Sequence, residues 1–238
     1  MVDLKFKKKV FYYILSVLAM FILALLGPLR YVGNGDKIIS VLNGIVRLSK
    51  ETLQESTTAT AFRACTSQWM YTLMPVLASI PSTSYIYDEL KSRFYMGVML
   101  RKGRYRYIYS NFFYAAVSGA ATVSAGLIVY AVLVYCLFPI NPTGIEIIGY
   151  TEITIWESVL NVLKIILCMA LYGMSMSVFA SFLVYLLPNL YVDLSILFIA
   201  VYMLREIVMR ENIIIPVVIV IGTAILYLTM CRTRGESI

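Results

Sequence analysis

Apolar residues in this chain fall into long runs separated by short charged segments, without the alternation of a half-buried sheet. The first run covers residues 10–29, roughly 20 residues and about 30 Å as a helix. Five more follow, at 67–87, 111–138, 159–187, 190–208 and 213–230. Runs of this length predict an all-α, polytopic membrane protein with six transmembrane helices in a single domain over 1–238. An outer-membrane barrel would instead show alternating segments of about ten residues. The second run carries Pro75 and Pro81 and is expected to be kinked or broken. The third, at about 28 residues, is long enough to tilt or to leave the bilayer. The fourth stops at Pro188.

Between the first two runs lies the longest polar stretch, an outer loop over 30–66. Within it Ile38, Val41, Leu42, Ile45, Val46, Leu48 and Leu53 recur at mostly helical spacing. That pattern predicts an amphipathic helix on the outer surface or over the span ends. Between the second and third runs, residues 88–108 read DELKSRFYMGVMLRKGRYRYI. Here Leu90, Phe94 and Val98 share one helical face, Asp88 and Glu89 sit at the expected helix start, and Gly103 breaks the pattern.

Composition agrees with the pattern: 238 residues are 61% hydrophobic and only 14% charged, where soluble domains run at about half apolar. The positive-inside rule orients the spans. With the N-terminus inside, cytoplasmic segments hold twelve Lys/Arg: Lys5 and Lys7 to Lys9, then six over 91–106, then Arg232 and Arg234. Outer segments hold seven over more residues, and the loop 139–157 holds none. Both termini are therefore expected in the cytoplasm. The net charge of +7 then reflects topology, and nucleic acid is not an expected partner.

Candidate chemistry is sparse. The chain has no histidine, which removes the commonest metal ligand and proton relay, and no metal site is expected. Cys65, Cys136, Cys168 and Cys231 show no CxxC spacing, though Cys65 and Cys136 both fall near the outer face, where a disulfide can form. The sequence Gly33-Asn34-Gly35-Asp36 has the GxGD form of intramembrane aspartyl proteases, with Tyr87-Asp88 as a second half. The order is reversed and the two aspartates fall on opposite sides of the membrane, so no shared-proton dyad is expected. No phosphate-binding loop is present, and no catalytic residue is expected. Within the runs, Asp193, Lys164 and the pair Arg205-Glu206 are the few ionisable groups. Polar uncharged residues such as Gln68, Thr72 and Ser79 are candidates to line a pathway. Small-residue stretches such as Ser118-Gly119-Ala120-Ala121 and Gly173-Met174-Ser175 fit close helix packing better.

A short amphipathic helix in the cytoplasm can dock an apolar ridge into a partner's groove. In this respect the chain resembles the permease subunits of type-2 ABC exporters, especially small stand-alone ones from Gram-positive bacteria. The resemblance runs through Pro81, Glu89, Gly97, Arg101, Gly103, Tyr107, Ser110 and Ser118-Gly119. Asn111 stands where that pattern has lysine. The Lys5–Lys9 cluster resembles the N-terminal lead-in of such permeases. What the resemblance implies is a dimeric pathway in a bacterial plasma membrane, built with a second permease chain and exporting a peptide or other amphipathic cargo. Separate ATPase subunits would bind ATP and Mg, leaving no cofactor in this chain and no hydrolysis of its own. It also implies an ATPase-coupling interface at Asp88, Glu89, Arg93, Phe94, Val98 and Arg101. The same segment suits a non-transporting scaffold or immunity protein that binds a cytoplasmic partner.

Overall fold

The computed structural model describes residues 2–30, 38–46, 57–92, 94–140, 154–187 and 189–210. Its architecture is helical, relieved by one short antiparallel ladder. Helix α1 (Val2–Leu25) leads into strands β1 (Pro28–Arg30) and β2 (Ile38–Ser40), then α2 (Val41–Val46) and α3 (Thr58–Arg63). A 3-10 turn over Ala64–Thr66 opens the long helices: α4 (Gln68–Lys91), the short α5 (Phe94–Lys102), α6 (Arg104–Leu137), α7 (Ile155–Leu186) and α8 (Leu190–Arg210). The 213–230 run and the Gly33–Asp36 motif lie outside the described residues, as do Arg93, Leu48, Leu53 and Cys231.

Among the described residues, two helices are long and apolar enough to cross a membrane, over Arg106–Leu137 and Ile155–Leu186; shorter apolar helices cover Lys9–Leu25 and Leu190–Met203. Their boundaries follow local chemistry. Thr154 and Glu157 form a reciprocal capping box that starts α7. Ser67 caps α4 through the Met70 N–H. The Asn189 side chain accepts from the Tyr191 N–H at the start of α8.

Three sequence expectations are corrected. The helix expected from Ile38 begins only at Val41, because Ile38–Ser40 pairs with Pro28–Arg30 (Leu29 opposite Ile39), a long-range contact invisible to local periodicity. Of the kink or break expected at Pro75 and Pro81, the break does not occur: α4 runs continuously to Lys91, past the expected end at 87. Proline at 75 cannot donate to the Tyr71 carbonyl; the Tyr172 hydroxyl of α7 donates to that oxygen at 3.4 Å instead. Asp88 and Glu89 therefore close α4, and the helix expected to begin at them begins at Phe94.

Helices α4, α6 and α7 meet along small residues. A Cβ on Gly119 would lie 2.5 Å from that of Ser177, and one on Gly173 would lie 2.5 Å from Val123 Cγ2, so only glycine permits this approach. Ser177 donates to the Ala115 carbonyl at 2.8 Å and shares a 2.9 Å bond with Ser82 of α4. Helix α1 lays Ser16, Met20 and Ala24 into the core and leaves Phe11, Ile14, Leu18 and Ile22 outside. Leu160, Leu163 and Leu167 of α7 and Phe198, Ile199 and Met203 of α8 are likewise exposed, so the bundle's outer surface is broadly apolar.

Candidate functional site

The corner where α4, α5 and α6 meet is built around Glu89. Tyr85 and Glu89 stand one helical turn apart on α4, which brings the tyrosine hydroxyl onto the carboxylate. From α6 the Tyr107 hydroxyl donates to the other oxygen at 2.7 Å. Glu89 is buried, and both its oxygens are engaged. A buried carboxylate is tolerable only with such donors. The ammonium of Lys9 on α1 lies 3.4 Å from the Tyr85 ring centroid and 5.7 Å from that of Tyr114, and the two rings meet edge to face at 5.2 Å. Asn111 then donates to the Tyr185 hydroxyl at 2.8 Å, extending the polar links to α7.

Helix α5 hangs from this corner on two turns. Ser92 ends α4, with its N–H on the Asp88 carbonyl and its hydroxyl on the Glu89 carbonyl, both at 3.1 Å. Gly103, at φ 79°, turns the chain into α6 in a conformation that side chains rarely adopt. Val98 and Met99 pack inward on Tyr107 and Ile108, together with Phe112, Phe182 and Tyr185. Met96 and Gly97 face away, as do Leu100, 88% exposed, and Arg101. Asp88 and Lys91 add exposed charge on the same corner.

The residues expected at the interface thus divide. Asp88 and Arg101 are exposed, Glu89 is a buried anchor, Val98 faces the body, and Arg93 lies outside the described residues. For Phe94 the structure gives a place, the first residue of α5. Leu100 and Met96, which sequence reasoning missed, are exposed apolar residues of α5. Their four-residue spacing was legible, but the face to favour depends on where the helix begins. The role of Glu89 had a signal too, in the Tyr85-x-x-x-Glu89 spacing, although its second donor comes from another helix.

Elsewhere, Thr72 and Ser79 are buried with hydroxyls bonded to the carbonyls of Gln68 and Val76, and Gln68 is exposed. Asp193, in the first turns of α8, is 0% exposed, and neither of its carboxylate oxygens has a partner among the described residues. Cys65 and Cys136 are both free, the first buried and the second exposed, so the disulfide considered between them is not formed. Burial pushes the Cys65 thiol up to about 12, which leaves it inert. No protein-family model matches the chain, and neither a curated protein nor a solved structure matches it.

Proposed function

We propose that this chain is the membrane-spanning permease subunit of an ATP-driven exporter of the ABC-2 type. It works as a pair of permease chains with separate ATPase subunits beneath them in a bacterial plasma membrane. Six spans, with both termini in the cytoplasm, belong to this reading, as does a peptide or other amphipathic cargo. The observation that carries it is α5: a separate nine-residue helix that presents Met96, Leu100 and Arg101 outward, with Val98 and Met99 fastened to the bundle. Such a helix is a handle. An apolar ridge beside a cation suits a groove on a soluble partner.

The mechanism follows from what holds the handle. When two ATPase subunits close on ATP, they press on α5 from below. Glu89, bonded to Tyr85 of α4 and Tyr107 of α6, ties the helices on either side of α5 to each other. A displacement of α5 is thereby passed to both helices together and moves the bundle between two arrangements. The apolar outer surface of α1, α7 and α8 fits the lipid contact that this role requires.

The test is coexpression with the candidate ATPase, followed by copurification and ATP-dependent efflux from proteoliposomes. Leu100→Glu combined with Arg101→Glu should abolish both while the chain inserts at its normal level. Full capture and efflux by that variant would sink the docking role. Stable capture by the parent chain with no movement of any cargo would favour the scaffold reading instead.

A further inference from the structure

At the opposite end of the bundle, a cleft of about 230 Å³ opens between α3 and the first turns of α7. Phe62, Val162 and Ile165 form its apolar floor, and Arg63, Lys164 and Asn161 supply its polar groups. Helix α3 is pinned in place. Thr57 and Thr60 cap it reciprocally, the Thr58 N–H bonds the Pro139 carbonyl at 2.9 Å, and the Tyr130 hydroxyl holds the Ala61 carbonyl at 2.6 Å. Arg63, the last residue of that helix, is thus carried by a rigid support. Lys164 lies two turns below Trp156, about 12 Å further along the helix. Beside it runs a stripe of exposed apolar residues, Leu160, Leu163 and Leu167.

Two cations therefore flank an apolar cleft, and among the described residues no acidic side chain lines it. Glu157, the acid nearest in sequence to Lys164, is occupied at 3.1 Å by the Thr154 N–H. Ser158 at the rim is committed to the Tyr135 hydroxyl at 2.9 Å. Paired cations over an apolar floor call for an anion with an apolar tail. The guanidinium suits a phosphate through two parallel hydrogen bonds, and the lysine stem can reach up to the same depth. A soluble anion would leave the floor and the leucine stripe uncovered, whereas the acyl chains of a lipid cover both.

We infer that this cleft binds the phosphate headgroup of a net-anionic phospholipid from the outer leaflet, with Arg63 and Lys164 on the phosphate and an acyl chain along Leu160–Leu167. The inference rests on the membrane-spanning reading of the chain, but not on its transport role.

Tryptophan quenching by brominated lipid tests it. In the full chain carrying Trp69→Phe, Trp156 is the one remaining tryptophan, two residues from the cleft. Reconstituted with brominated phosphatidylglycerol in a phosphatidylcholine background, Trp156 should be quenched saturably at low mole fraction. The preference over brominated phosphatidylcholine should be about fivefold or more, the scale expected for one cation at a membrane surface. Arg63→Gln with Lys164→Gln should bring that preference close to one, and Arg63→Lys with Lys164→Arg should keep most of it. Equal quenching by both lipids in the parent, or an undiminished preference in the double glutamine variant, overturns the site. Equal quenching by both lipids, with a change in Trp156 emission on adding millimolar glycerol phosphate that the double glutamine variant lacks, assigns the cleft to a soluble anion and overturns the lipid. Absence of quenching by either lipid overturns the membrane reading itself.

Discussion

Glu89 and Asp193 are two carboxylates near helix ends, the first closing α4 and the second opening α8, and both are buried. Glu89 receives hydroxyls from two helices, while Asp193 receives none among the described residues. The chain therefore withdraws two similar groups from solvent in opposite ways. Around Glu89 the cost of burial is offset by donors that also tie α4 to α6, so the acid works as a joint. Around Asp193 no described residue offsets the cost, so against its described neighbours the acid weakens the packing that contains it. The side chain is the same type of group in both places; what differs is whether neighbouring helices bring hydroxyls to it.

Removing each group should then move stability in opposite directions. The largest effect is expected for Glu89→Ala, which strands two tyrosine hydroxyls and should destabilise the chain by about 3 kcal/mol in denaturant unfolding in detergent. A loss below a few tenths would show that the joint carries no load. Next comes Asp193→Asn, which removes the charge at nearly constant volume and should raise stability by about 2 kcal/mol. If that variant unfolds as readily as Glu89→Ala, Asp193 has a partner and the contrast collapses. Tyr107→Phe deletes one donor and should cost about 1 kcal/mol. Combined with Glu89→Gln it should show a clear coupling energy, because the two side chains share a bond; additive losses would place the interaction elsewhere. Smallest is Leu100→Ala, which should leave stability within about 0.5 kcal/mol. If α5 is the proposed handle, the same variant should nevertheless weaken ATPase capture severalfold, separating the handle from its mounting.

The long apolar helices were legible because an uninterrupted run of such residues has few other solutions. Helices α6 and α7 cover the expected spans at 111–138 and 159–187 except for the last residue of each, and begin ahead of their starts. The ends of helices were less legible. Asp88 to Lys91 resembles an exit into solvent, yet α4 continues because Glu89 finds a donor eighteen residues later, on another helix. That shift of the helix end also altered the reading of α5. With its start at Phe94, the side that packs inward includes Val98 and the side left outside includes Leu100. The β1–β2 ladder was invisible for the same kind of reason, since neither three-residue strand has a pattern of its own. Within the candidate site the sequence revealed which residues are charged, but not which of them are buried. Burial is a property of the neighbours, and in this corner they come from five helices.

The bond from Tyr172 to the Tyr71 carbonyl has a mechanical side. Pro75 leaves that oxygen without its intrahelical donor, and a hydroxyl on α7 takes it at 3.4 Å. Sliding or twisting α4 against α7 would strip the oxygen bare among apolar neighbours. On the proposed permease reading, the pair would act as a detent: a shallow notch that gives the two helices a rest position and yields once the push on α5 is large enough.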